Sequence, residues 1–364
     1  MRRNNQTRSR LMLPMLLIAA LCIISAVFVP VQAAGLEDAK NSVPVVGQKF
    51  QAVDSLDISL KKENHNHGVK KYLDGLAWSK QKFEVELHPA YKNRSDFLVT
   101  FPSPVTSNNG GDDTVTMEWY PAKNKAGEII KAPAIVVVHE SGSGMTVGQI
   151  FAKTLKKQHF HTFLLHMPGY GKRKAKERQD VSELVTLFHQ AISDVRRARD
   201  AVAALPKVDE RLIVLQGTSL GGFVSATVAG LDNGYDGVFL MLAGGDLYDI
   251  LMHGKRDAEK VLEKTREAGI SDDQLKAIID KIEPLNFASR MDAARVWLYS
   301  GKYDTVVPLK NANLLAHAAG LSKQHHILMP SNHYSGIVYL PVIFKHIGEK
   351  INLIAESKGI EPAM

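Results

Sequence analysis

The chain has 364 residues, 45% hydrophobic and 23% charged. That balance belongs to a globular protein with a full-sized core, and no internal repeat or low-complexity tract argues for a solenoid, fibrous or disordered class. The formal charge of +7 gives no basis for a nucleic-acid partner: four of the arginines lie within the first ten residues, and without them the charge falls to +3.

Those arginines, Arg2, Arg3, Arg8 and Arg10, precede an apolar run from Leu11 to Val29. Val31-Gln32-Ala33 has the small-residue pattern of a cleavage site after Ala33. Residues 1–33 are therefore expected to be a signal peptide, and the protein to be exported, periplasmic or secreted. The run is also close to the length of a membrane span, so an uncleaved N-terminal membrane anchor is the alternative. The one cysteine, Cys22, falls in this segment, and an exported chain without it has no disulfide.

Residues 34–80 read as an N-terminal extension without a clear period. His65-Asn66-His67 offers two metal ligands but no third at a recognised spacing, and reads as a solvated loop. The main domain is expected over 81–364. It begins with alternating segments at Phe83–Leu87 and Phe97–Phe101, a turn at Asn108–Asp113 and a returning strand at Thr114–Tyr120, an antiparallel entry to a sheet.

From Ala134 the pattern changes. Continuous apolar runs at 135–138, 162–165, 212–215, 238–242, 296–299 and 327–329 read as strands buried on both faces. Between them, Ser182–Leu205 places Leu184, Leu187, Phe188, Ala191, Val195, Ala198 and Val202 on one helical face and stops before Pro206. Pro341–Ser357 reads as a C-terminal helix. The alternation predicts an α/β fold with a doubly wound, mostly parallel sheet. The interval around 245–284 is too long for a simple crossover and is expected to form a small helical cap over the strand ends, Ser271 capping its second helix.

Gly217-Thr218-Ser219-Leu220-Gly221 follows the third parallel strand and opens a helix, the setting of a nucleophile elbow. The turn holds the serine backbone under strain, so a side chain at Gly217 or Gly221 would strike the neighbouring strand or helix. A serine nucleophile needs a base and a group to orient that base. Asp304 follows the fifth strand and His333 the sixth. Asp246 is the competing acid, while His325 and His326 lie at the wrong end of their strand. For the oxyanion, the candidate donors are the amides of Leu220 and of Ser141, in the small-residue loop His139–Gly144. In His166-Met167-Pro168-Gly169-Tyr170-Gly171 the Pro-Gly pair reads as a turn bordering the site. His139 and His166 are expected to pack beside the pocket rather than to bind a metal.

With these residues the chain resembles the α/β-hydrolase superfamily over roughly residues 95–355. The resemblance rests on the Gly217–Gly222 elbow, on Gly301-Lys302-Tyr303-Asp304-Thr305-Val306-Val307-Pro308, on His333 and on His166–Gly171. The family often has an acid where this chain has His166. The loop His139-Glu140-Ser141 looks like that of dienelactone-hydrolase-like members, whose founding enzymes carry a cysteine where this chain has Ser219. The resemblance implies the α/β-hydrolase fold. With the residues above, it implies an exported serine hydrolase that cleaves a small-molecule carboxylic ester through an acyl-enzyme on Ser219, with no cofactor and no metal. A serine peptidase or amidase, and an inactive binding protein on the same fold, stay open. Acyl and alcohol specificity and oligomeric state do not follow from the sequence.

Overall fold

The computed structural model describes residues 40–58, 69–73, 75–106, 113–174 and 184–361. The N-terminal basic and apolar segment, the pattern ending at Ala33, His65 and His67, most of the turn before Thr114, and Ser182 lie outside the described residues. Among the described residues no helix is long and apolar enough to cross a membrane.

The described strands are β1 (Lys49–Val53), β2 (Lys82–Pro89), β3 (Phe97–Pro102), β4 (Thr114–Tyr120), β5 (Ala132–Val138), β6 (His161–His166), β7 (Val208–Thr218), β8 (Val238–Met241), β9 (Val296–Gly301) and β10 (His326–Met329). They form one sheet in the order β1-β2-β3-β4-β6-β5-β7-β8-β9-β10. Pairing is antiparallel from β1 to β4 and between β4 and β6, and parallel from β6 to β10. The antiparallel entry and parallel remainder agree with the reading of the sequence. β1 is the addition, lying in the extension whose period was too weak to read.

Strand alternation fills two layers. In β5, Ala134, Val136 and Val138 face one core while Ile135 and Val137 face the other. β7 does the same with Ile213 and Leu215 against Leu212 and Val214. This is why these strands read as unbroken apolar runs. The first core is completed by helices α2 (Leu184–Ala204), α3 (Leu220–Asp232) and α8 (Leu309–Ala318), the second by α1 (Thr146–Lys156) and α9 (Leu340–Ser357).

Between β8 and β9 lie α4 (Leu247–His253), α5 (Asp257–Glu267), α6 (Asp272–Asp280) and the single turn α7 (Leu285–Ala288). Ser271 is an N-cap, its hydroxyl accepting from the Gln274 amide, but it caps the third helix of the interval rather than the second. The difference is α4, a seven-residue helix too short to show a period. Leu247, Ile250, Ala258, Leu262, Leu275 and Ile279 from these helices pack with Val306 and Val307, which follow β9.

Candidate active site

The chain leaves β5 toward β6 on one side and then returns to place β7 on the other. The crevice between the carboxyl ends of β5 and β7 is therefore a topological switch point, where open α/β sheets bind ligands. The loop after β5 holds Ser141; the turn after β7 holds Ser219.

Ser219 has φ 51° and ψ −113°, a conformation that non-glycine residues rarely adopt. Its amide donates to the Met241 carbonyl at 2.8 Å, and its carbonyl accepts from Phe223 at 3.1 Å. The flanking glycines make this turn possible. A Cβ on Gly217 would lie 2.3 Å from the Gly221 carbonyl oxygen and from Ser225 Oγ; one on Gly221 would lie 2.3 Å from the Val138 carbonyl oxygen. Backbones of β5, β7 and α3 thus meet where only hydrogen fits, as the motif requires.

Ser219, Asp304 and His333 converge. Ser219 Oγ lies 3.1 Å from His333 Nε2, and His333 Nδ1 lies 2.7 Å from Asp304 Oδ2. The other oxygen of Asp304 accepts from the Val306 and Val307 amides at 2.8 and 2.9 Å. With Nδ1–H donating to the carboxylate, Nε2 is left to accept the serine proton. The loops bearing the acid and the base are joined by backbone bonds from Lys302 to Met329 and from Tyr303 to Ser331. Asp246 stays apart: it caps α4, accepting from the Asp249 amide.

The loop after β5 is held from several directions. His139 Nδ1 lies 2.6 Å from the Glu140 carbonyl oxygen, and Nε2 accepts from the Met167 amide at 3.3 Å. Because the peptide is planar and trans, fixing the Glu140 carbonyl turns the Ser141 N–H the opposite way. Tyr170 packs edge-on against the His139 ring and donates its hydroxyl to the Ser141 carbonyl at 3.2 Å. Gly221 donates to the His139 carbonyl at 3.1 Å, which ties this loop to the start of α3 and to the Leu220 amide. Glu140 accepts from the Val147 and Gly148 amides, capping α1 with its carboxylate.

Glu140 and Tyr170 were missed as positioning residues. The small-residue loop marked the place, but side-chain direction depends on β6 and α1. Burial pulls the His139 pKa down to about 4, so the ring is neutral.

His166 is paired with a carboxylate from the adjacent strand, that of Glu118. His166 Nδ1 accepts from the Lys172 amide at 3.2 Å, so Nε2 donates to Glu118 Oε1 at 3.1 Å; Tyr120 donates to Glu118 Oε2 at 2.5 Å. Burial of Glu118 pushes its pKa up, but the bonds from His166 and Tyr120 outweigh it and hold the group below its ordinary value. Both histidines are fully buried packing residues. No group of three or more His, Cys, Asp or Glu side chains suited to a metal occurs among the described residues.

No protein-family model and no curated protein matches the chain. Solved structures do. An acetyl xylan esterase from Paenibacillus sp. R4 is similar over 87% of this chain and 98% of its own, with 15% identity and a TM-score of 0.57. Acetyl xylan esterase 1 from Thermoanaerobacterium sp. JW/SL YS485 is similar over 85% of this chain and 96% of its own, with 14% identity and a TM-score of 0.54. The fold is that of the α/β hydrolases.

Proposed function

We propose that this α/β-hydrolase-fold protein is a serine hydrolase that cleaves a small-molecule carboxylic ester through an acyl-enzyme on Ser219. The observation that carries this reading is the continuous chain of hydrogen bonds from Ser219 Oγ through His333 to Asp304. In the reaction His333 Nε2 takes the proton of Ser219 as Oγ attacks the ester carbonyl. The amides of Leu220 and Ser141 hold the oxyanion. His333 then gives its proton to the leaving alcohol, and a water activated by the same nitrogen releases the acid. Asp304, fixed by two amides, orients the imidazole and stabilises its charged form. Every proton is held by these side chains, and no step calls for a cofactor.

An ester is preferred to an amide because two solved structures similar at a TM-score above 0.5 are named acetyl xylan esterases. Export, with cleavage after Ala33, belongs to the same proposal and rests on the basic and apolar pattern of the first 33 residues. Mass spectrometry of the N-terminus of protein recovered outside the cytoplasm tests it.

Ser219→Ala is expected to leave the fold intact and to lower hydrolysis of p-nitrophenyl acetate by about 10⁴-fold or more, with a residue of activity from binding and the oxyanion donors. Wild-type protein should react with a fluorophosphonate at Ser219 and the variant should not. Unchanged turnover in the variant would exclude the role of Ser219. Parallel assays on peptide anilides separate ester from amide preference.

A further inference from the structure

At the opposite end of the strands, where β4 ends and β6 begins, one cavity of about 590 Å³ is lined by Arg94, Lys123, Lys153, Lys156 and Lys157, with Asp96 in its wall. It lies roughly a strand's length, about 20 Å, from the rim that holds Ser219. The five cations come from three segments: the β2–β3 connection, the stretch after β4 and the end of α1. Lysines at the end of α1 complement the helix dipole, but that does not account for Arg94 and Lys123, which belong to other segments.

The carboxylates at hand leave much of this charge uncompensated. Asp96 bridges Lys123 and Lys156, the latter at 3.0 Å. Arg94 comes only within 4.0 Å of Glu118, which is already bonded to His166 and Tyr120. Lys153 and Lys157 are exposed and have no carboxylate within 4.0 Å among the described residues. The positive wall continues past Arg94, where the Tyr91 ring has Lys92, Arg94 and Lys172 at 5.0, 5.9 and 6.0 Å from its centre.

The backbone accepts strain to bring these segments together. His159, just past α1, has φ 64°, a position that usually takes glycine. Its Nδ1 lies 3.0 Å from the Lys123 carbonyl oxygen, so the ring pins the Lys123 segment against the end of the helix. Gathering like charges in a concavity costs stability and focuses a positive field, which an anionic ligand would relieve. The recess has the volume of a small-molecule site.

We propose that this cavity binds a multiply charged anion, a cluster of carboxylate or phosphate groups borne by a free small molecule or by the repeating units of an acidic polysaccharide. Binding is separate from ester cleavage and does not depend on Ser219.

Titration calorimetry of the full chain with citrate, pyrophosphate and polygalacturonate tests this. At least one should bind, about tenfold or more weakly in Lys153→Glu/Lys157→Glu than in wild type, and more weakly at high salt. The milder pair Lys153→Gln/Lys157→Gln should fall between the two. Hydrolysis of p-nitrophenyl acetate should be the same in all three proteins, since these exposed lysines are far from the rim. Binding of citrate or pyrophosphate identifies a free anion as the ligand; binding of the polymer alone identifies the polysaccharide. The proposal is overturned if none of the three binds, if affinity is the same in wild type and both variants, or if only vesicles of anionic lipid are retained.

Discussion

Among the described residues Tyr170 makes no hydrogen bond to Ser219 or His333, yet its hydroxyl holds the Ser141 carbonyl and its ring packs on His139. His139 in turn fixes the peptide that bears the Ser141 N–H. In the proposed reaction both act through the oxyanion donor, so their loss should weaken the transition state more than the ground state. Tyr170→Phe keeps the ring packing and removes one hydrogen bond. It is expected to lower kcat by about tenfold with KM nearly unchanged, less than the loss of a donor itself would cost. A purely structural role would instead appear as a lower melting temperature with normal kcat. The sequence marked Asp304 and His333 by their place after strands. The choice of Asp304 over Asp246 became physical only through the 2.7 Å bond to His333 and the capping bond that occupies Asp246.

At the scale of elements, the site depends on how closely β7, the elbow and α3 approach β5. The Gly221 amide reaches the His139 carbonyl, and a Cβ on Gly217 or Gly221 would collide with main-chain oxygen. A flexible side chain can move aside, but these carbonyls belong to the sheet and to the first turn of the helix. Gly217→Ala is therefore expected to destabilise the fold by about 3 kcal/mol or more, toward the upper end of overpacking effects. The midpoint of urea unfolding measures this, and a shift of under half that size would mean that α3 slides without cost. The pentapeptide itself announced these glycines. The elements that aim the neighbouring loop were harder to read, because the directions of Glu140 and Tyr170 depend on how α1 and β6 pack beside it.

Across the whole molecule, buried charges join segments distant in sequence. Arg197 makes two bonds to Asp54, and Arg196 binds Asp232 and Asp200, which in turn holds Ser55. These pairs dock the chain after β1 onto α2. Two buried histidines set a limit in acid. Burial draws the pKa of His139 and of His161 down to about 4. His161 accepts from the Trp119 indole and the Ala122 amide at Nδ1, so its Nε2–H serves the Ile130 and Lys207 carbonyls. A second proton, on Nδ1, would face two N–H donors. Both rings are neutral when folded and take up protons near pH 6.5 when unfolded, so their contribution is complete above about 6.5 and is lost as pH falls toward 4. By pH 5 the loss is about 2 kcal/mol for each ring. Urea midpoints at pH 7 and pH 5 should differ accordingly, and the difference should shrink in His161→Gln; equal midpoints at the two pH values would contradict it.

What the sequence determined by itself were features with a local cause. Apolar runs buried on both faces mark parallel strands, alternation marks the antiparallel entry, and glycines around Ser219 mark a turn that other residues cannot make. What only the tertiary structure decided were partners brought together across the sheet: β1 on its edge, Glu118 beside His166, Tyr170 on Ser141, and cations from three segments around one cavity. These depend on where strands are placed relative to one another. That placement minimises exposed apolar area and unsatisfied polar groups over the whole chain, so no short stretch of sequence contains it.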